Sequence, residues 1–164
     1  MNTRLILLTV TAAVLALTSC AGGPQLPLKT SLGDLIQIEK KTSIQTSDGN
    51  IDAKTDELLY LLSFEGKKEL AFEGNAEADG PKAFRLIDSK GTSYAPVFAG
   101  SPTGEGVISD KDWKYNGGLT GRDGKWVFSG TLEFPAPKIS LVYKIPKDAS
   151  ALKLKDGNET HAIS

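Results

Sequence analysis

The sequence predicts an all-β chain folded as an antiparallel β-sandwich of roughly seven to nine strands. Three observations carry this. Near the C-terminal end, apolar and polar residues alternate with a period of two: Trp126, Phe128, Gly130, Leu132 and Phe134 fall on one side, and Lys125, Ser129, Thr131 and Glu133 on the other. One buried and one solvated face is the antiparallel-sheet pattern. The run Leu58 to Phe64 is apolar on both faces, short, and bounded by Gly66, as expected of a central strand. The chain also holds 17 glycines and 8 prolines against a single methionine, with frequent turn dipeptides, which favours short strands over helices.

Residues 1–19 stand apart. Arg4 is the one positive charge before an uncharged run of 13 residues, Leu5 to Leu17. That is the length of a signal-peptide core and short of the roughly 20 residues a spanning helix needs. The segment is read as an export signal. An ordinary signal peptidase wants small residues in the first and third positions before its cut. A cut after Ser19 puts bulky Leu17 in the third, and a cut after Thr18 puts threonine in the first. Leu17-Thr18-Ser19-Cys20 resembles instead the bacterial lipobox, a branched apolar residue and two small ones before a cysteine.

That resemblance implies that the Cys20 sulfur receives a diacylglyceryl group, that the chain is cut before Cys20, and that the new amine is acylated, for example by palmitate. Two or more acyl chains hold a protein stably at a bilayer where one binds marginally. The alternative is a secreted protein with a bare thiol near its end, a liability in an oxidising compartment. Ala21 rather than Asp follows the cysteine. By resemblance to enterobacterial sorting, this places the lipoprotein at the outer membrane of the cell envelope rather than the inner one.

Without residues 1–19, 145 of the 164 residues remain, one domain with enough chain for a real core. Its lone cysteine is used by lipid, so stability rests on packing rather than a disulfide. It carries 18 basic and 20 acidic residues, a net charge of −2, with no long run of either sign. Neither nucleic-acid binding nor a basic membrane-binding patch is supported. The expected organisation is a signal peptide over 1–19, the lipidated cysteine with a Gly/Pro-containing tether over 20–32, the sandwich domain over 33–157 and a C-terminal tail over 158–164.

Within the domain, Asp34 to Lys41 is the first strand, with Ile36 and Ile38 on one face and Gln37 and Glu39 on the other. Thr46 to Asn50 is a turn. Asp48, Asn50 and Asp52 have the opening spacing of a calcium loop, but Ala53 stands where its glycine belongs and Leu59 where its closing glutamate belongs, so a polar turn is the reading and no metal is assigned. After the central run come a short strand at Leu70 to Phe72 and a loop from Gly74 to Pro81. Phe84 to Asp88 is a strand with Phe84 and Leu86 inward, and a tight turn through Gly91 returns it as Thr92 to Tyr94. Residues 99–124, rich in glycine, are the least regular part, and Ser109 with Asp112 suits the cap of one helical turn. Pro135 to Pro137 turns the chain into the alternation Ile139, Leu141, Tyr143, Ile145, and Leu152 with Leu154 marks a last strand.

Two stretches resemble a family of immunoglobulin-like domains found in bacterial lipoproteins. Phe84 to Tyr94 is similar to that family's F-x-L-x-D-x-x-G-x-x-Y hairpin. Gly130 to Pro135 is similar to its G-x-L-x-F-x-P strand end, with Pro135 one residue early, and the Leu141-Val142-Tyr143 strand follows. The likeness spans residues 56–155 and implies an immunoglobulin-like β-sandwich. Its motifs are turn and core residues, and it carries over no catalytic residue. The paired cysteines around a tryptophan that mark antibody domains are absent.

Nothing in the sequence assembles an active site. The one histidine, His161, falls in the expected tail, where a tail residue is the reading rather than a base. No G-x-S-x-G elbow, cysteine nucleophile or histidine-rich cluster is present. The carboxylate pairs Asp110/Asp112 and Glu65/Glu69 would suit a hydrolase, yet 20 acids yield near neighbours by chance. Neither an enzyme nor a cofactor is indicated. For binding, Asp110, Asp112, Trp113 and Tyr115 stand out, because aromatics among charges on a loop suit recognition surfaces. The competing reading has Trp113 plug an end of the core with Tyr115 covering it; Trp126, in a strongly alternating strand, is read as core in either case. The expected protein is therefore a lipid-anchored envelope lipoprotein with a non-catalytic domain that binds a protein or envelope component or serves as an accessory module. The alternatives are a small-ligand carrier with a pocket near residues 99–118 and a carboxylate-dependent hydrolase.

Overall fold

The computed structural model describes residues 24–75, 84–104, 106–122 and 125–164. The export signal, Cys20, most of the 74–81 loop and the side chains of Tyr115 and Trp126 lie outside the described residues. The described chain is all-β and sandwich-like, with no helix. Its fifteen strands are β1 (Leu28–Thr30), β2 (Gly33–Lys41), β3 (Ser43–Thr46), β4 (Gly49–Asp52), β5 (Glu57–Glu65), β6 (Glu69–Asn75), β7 (Arg85–Ile87), β8 (Ser93–Tyr94), β9 (Phe98–Pro102), β10 (Ile108–Ser109), β11 (Lys114–Arg122), β12 (Lys125–Glu133), β13 (Lys138–Pro146), β14 (Lys153–Asp156) and β15 (Glu159–Ala162). They exceed the number of clear alternations because eight of them are only two to four residues long.

Three sheets form, ordered β1-β2-β5-β13-β9-β10-β3-β4, β15-β14-β7-β8 and β11-β12-β6. All pairings are antiparallel except that of β10 with β3. The largest sheet cannot be flat. β2 runs into β3 through Thr42 alone, yet the two lie near opposite ends of the strand order. The sheet therefore rolls over until its ends meet at that corner, which is how a bent strand serves two parts of a β structure.

The roll explains the run at Leu58 to Phe64. Tyr60, Leu62 and Phe64 of β5, with Ile139, Leu141, Tyr143 and Ile145 of β13, point into a main core shared with Phe84 and Leu86 of the β7 arm and Leu152, Leu154 and Ile163 of the β14–β15 arm. The opposite faces of the same strands supply Leu59, Leu61 and Val142 to a second core with Ile44 of β3 and Ile108 of β10. Strands buried on both faces read as continuous apolar runs. Tyr143 is fully buried, and its hydroxyl donates to the Phe84 carbonyl at 2.9 Å. Burial pushes that phenol well above its ordinary pKa.

Several expectations are corrected. Ile36 does not face inward with Ile38. The β2–β5 register slips between Leu35 and Gln37, and a bulge adds one residue and resets the alternation. Leu35 and Ile38 turn to the core and Ile36 is 37% exposed. The tether ends at residue 27, not 32, because Leu28–Thr30 pairs with Gly33–Leu35 and Leu32 is buried. Ser31 is also tied to the fold: its N–H at 2.6 Å and its hydroxyl donate to the Asp156 carboxylate. Residues 158–164 are not a tail. A two-residue loop, Gly157-Asn158, with φ +60° at Gly157, folds β15 back on β14, a hairpin that glycine in the first loop position favours. Ile163 is buried there.

The Phe84–Tyr94 motif has a direct physical basis. Phe84 and Leu86 fill the main core. Asp88, 7% exposed, accepts the N–H groups of Lys90 at 2.9 Å and Thr92 at 2.8 Å and the Tyr94 hydroxyl at 2.8 Å. Gly91 takes φ +81° to close the turn. Desolvation raises the Asp88 pKa, but the hydrogen bonds from Thr92, Tyr94 and Lys90 outweigh it and hold the carboxyl below its ordinary value. A carboxyl depressed in the folded state stabilises fully above its unfolded pKa of about 3.9 and loses that contribution as pH falls through the folded one. Asp88→Asn keeps the shape and removes the charge. Its melting temperature is expected to lie below wild type at pH 6 and to converge on it towards pH 2; a constant gap across that range would show that the charge is irrelevant.

Candidate functional site

Residues 99–118 are more regular than the sequence suggests. They contain most of β9, all of β10 and the start of β11. Glycines read as turn signals here have another role. Gly100 lets β10 fold against β9, since a Cβ at that position would lie 2.7 Å from Ile108 Cγ2 and 2.9 Å from the Ser109 carbonyl. Gly130 likewise admits β11, as its Cβ would lie 2.6 Å from Gly117 Cα. No helical turn forms at Ser109; its hydroxyl accepts the Lys111 N–H at 3.3 Å in a short turn.

Trp113 does not share an exposed surface with Asp110 and Asp112. Trp113 is half-buried and packs against the main core. Its ring meets Phe134 edge-on at 4.8 Å, and its indole N–H donates to the buried Ser101 hydroxyl at 2.9 Å. That is the arrangement of a plug, with both the apolar body and the polar handle satisfied. Tyr115 stands on β11 opposite Leu132 rather than on a loop. Asp110 and Asp112 are exposed, and Asp110 accepts the Ser47 hydroxyl at 3.1 Å. Of the other carboxylates, Glu65 pairs with Lys138 at 3.7 Å and Glu69 begins β6. Asp52 accepts the Ser43 hydroxyl at 2.6 Å. Among the described residues no three His, Cys, Asp or Glu side chains gather as a metal site. His161 sits on β15 opposite Leu154, half-buried, with Nε2 3.6 Å from the Glu159 carboxylate.

A better-formed feature lies where the rolled sheet fails to close. β3 meets β10 at one point, Thr46 against Ile108, reinforced by the Ser47 N–H on the Ile108 carbonyl at 2.9 Å. Below that point β2 and the β9–β10 turn stand apart, and a cleft of about 300 Å³ opens between them. Gln37 and Lys41 of β2 form one wall, and Pro102, Gly106 and Ile108 of the β9–β10 hairpin the other. Ser43, Ile44 and Gln45 of β3 close the corner, and Leu61, Ser63 and Ser140 make the floor. The volume is at the lower end of the range for small-molecule sites. A second hollow of about 500 Å³, beside Ser47, Val107 and Lys111, is a more open depression.

Among the described residues, the charges beside the cleft are paired. The Lys41 ammonium lies 2.6 Å from one Glu39 oxygen, and Gln37 Nε2 donates to the other at 2.6 Å. On the floor, Ser63 and Ser140 are direct cross-strand partners with hydroxyl oxygens 3.4 Å apart. Neither serine was singled out from the sequence. A signal was present, since Ser63 is the polar break inside the apolar run of β5 and Ser140 a small polar residue between Ile139 and Leu141 of β13. What it lacked was any indication that the two residues meet.

Compared with protein-family models, with curated proteins and with solved structures, the chain finds no match in any of the three.

Proposed function

We propose that the protein is a lipid-anchored lipoprotein of the bacterial cell envelope, carrying one non-catalytic β domain that binds a small ligand. The observation that carries the anchor is the placement of Leu17-Thr18-Ser19-Cys20 directly after a 13-residue apolar run. A diacylated cysteine supplies the two chains that stable attachment needs. By the sorting resemblance at Ala21, the membrane is the outer one.

The cleft favours a carrier over a module that docks a protein through the 110–118 segment. The docking reading leaned on Trp113, whose indole is engaged inside the fold. The carrier reading asked for a pocket near residues 99–118, and Pro102, Gly106 and Ile108 line one.

In cells fed labelled palmitate, the wild-type protein is expected to take up label and partition with detergent, and Cys20→Ser to do neither. Mass spectrometry of the native N-terminus should find diacylglyceryl on Cys20. A bare thiol there would overturn the anchor.

A further inference from the structure

We propose that the cleft between β2 and the β9–β10 hairpin takes an uncharged polyhydroxylated ligand of monosaccharide size. This rests on the carrier reading above and adds the chemistry of what is carried.

Three observations narrow the class. The first is charge. Among the described residues, Lys41 is the charged group that lines the cleft, and its ammonium is neutralised by Glu39 at 2.6 Å. A charged ligand entering the cleft would give up hydration and meet no net counter-charge, a costly exchange. The second is the floor. Ser140 is 2% exposed, and its oxygen stands 3.4 Å from that of Ser63, well beyond the usual 2.7–2.8 Å of a hydroxyl–hydroxyl bond. The pair is weakly joined, and a third hydroxyl placed against it bonds to both. A purely apolar ligand would leave these groups with only their long mutual contact in a dry site, which is penalised. The third is the mixture of wall chemistry. Gln37 and Gln45 offer neutral amides that donate and accept, as hydroxyls do, while Leu61 and Ile108 present apolar surface between them. A sugar ring has this composition, with C–H faces and a rim of hydroxyls. The volume of about 300 Å³ suits one ring rather than a chain.

The test uses the full chain in a detergent without a sugar headgroup, with saturation-transfer NMR and calorimetry. The probes are methyl β-glucopyranoside and N-acetylglucosamine, against sodium glucuronate and benzene. Either neutral sugar is expected to bind, and Ser140→Ala and Gln45→Ala each to weaken it about tenfold, the loss of roughly one hydrogen-bonded pair. Gln45 is exposed on the rim, so that variant reports even if Ser140→Ala fails to fold. Binding of glucuronate or benzene but neither sugar would overturn the ligand class and leave the cleft a site. Binding of no probe would overturn the ligand class and the carrier reading together. Sugar binding unchanged in a folded variant would place the ligand elsewhere and overturn the proposal.

Discussion

Truncating Phe64 to alanine is expected to destabilise the fold by about 3–5 kcal/mol, the range for a large aromatic removed from a core. Phe64 is 1% exposed on β5, between Leu35 of β2 and Ile139 of β13. Its ring meets Phe84 at 6.3 Å across the gap to the four-stranded sheet. The contact thus joins two layers rather than two neighbours in one, and neither sheet can move in to fill the void without losing its own pairing. The melting temperature should fall by roughly 10–20 °C. Ile36→Ala, at the bulge and 37% exposed where Phe64 is 1%, is the control and should shift it much less. A Phe64→Ala loss under about 1 kcal/mol in urea would mean that the layers are not packed as described.

Gly100→Val is expected to break the seam that shapes the cleft. The new side chain would meet Ile108 and the Ser109 backbone inside van der Waals distance, and β10 has nowhere to yield except away from β9. Overpacking of this kind costs about 1–3 kcal/mol. The local effect should exceed the global one, because only two register pairs hold β10 to β9 and one holds it to β3. Hydrogen exchange at the Ser47 amide, which donates to the Ile108 carbonyl at 2.9 Å, reports that seam. It should quicken by more than global destabilisation explains. Gly104→Ala, where a methyl group meets open space, should leave it unchanged. Equal protection in both variants would refute the close approach.

Much of the architecture was legible because alternation is a local property. The faces of β13 and β14 follow from residues two apart, and the two-sided apolar run of β5 announced a central strand. Pattern failed where backbone geometry, not side chain, decided the outcome. The bulge at Ile36 reversed one expected face. Gly100 and Gly117 lie in a stretch expected to be irregular, yet strands β9 and β11 run through them, and at Gly100 and Gly130 the neighbouring strand occupies the space a Cβ would need. Trp113 could have been plug or recognition surface from sequence alone; the Ser101 hydroxyl and the Phe134 ring, 12 and 21 residues away, put it inside.

The sequence by itself determined the all-β class, the central strands and the polar hairpin around Asp88, since each depends on residues within a few positions of one another. It determined the lipobox likeness at Cys20 in the same way. Only the tertiary structure decided that the main sheet rolls, that it stops short of closing between β2 and the β9–β10 turn, and that Ser63 and Ser140, 77 residues apart, share the floor of the resulting cleft. A period of two says which way a side chain points; it does not say which strand lies next to it. Neighbours are chosen by the burial of whole faces, a sum over distant segments that no local stretch contains.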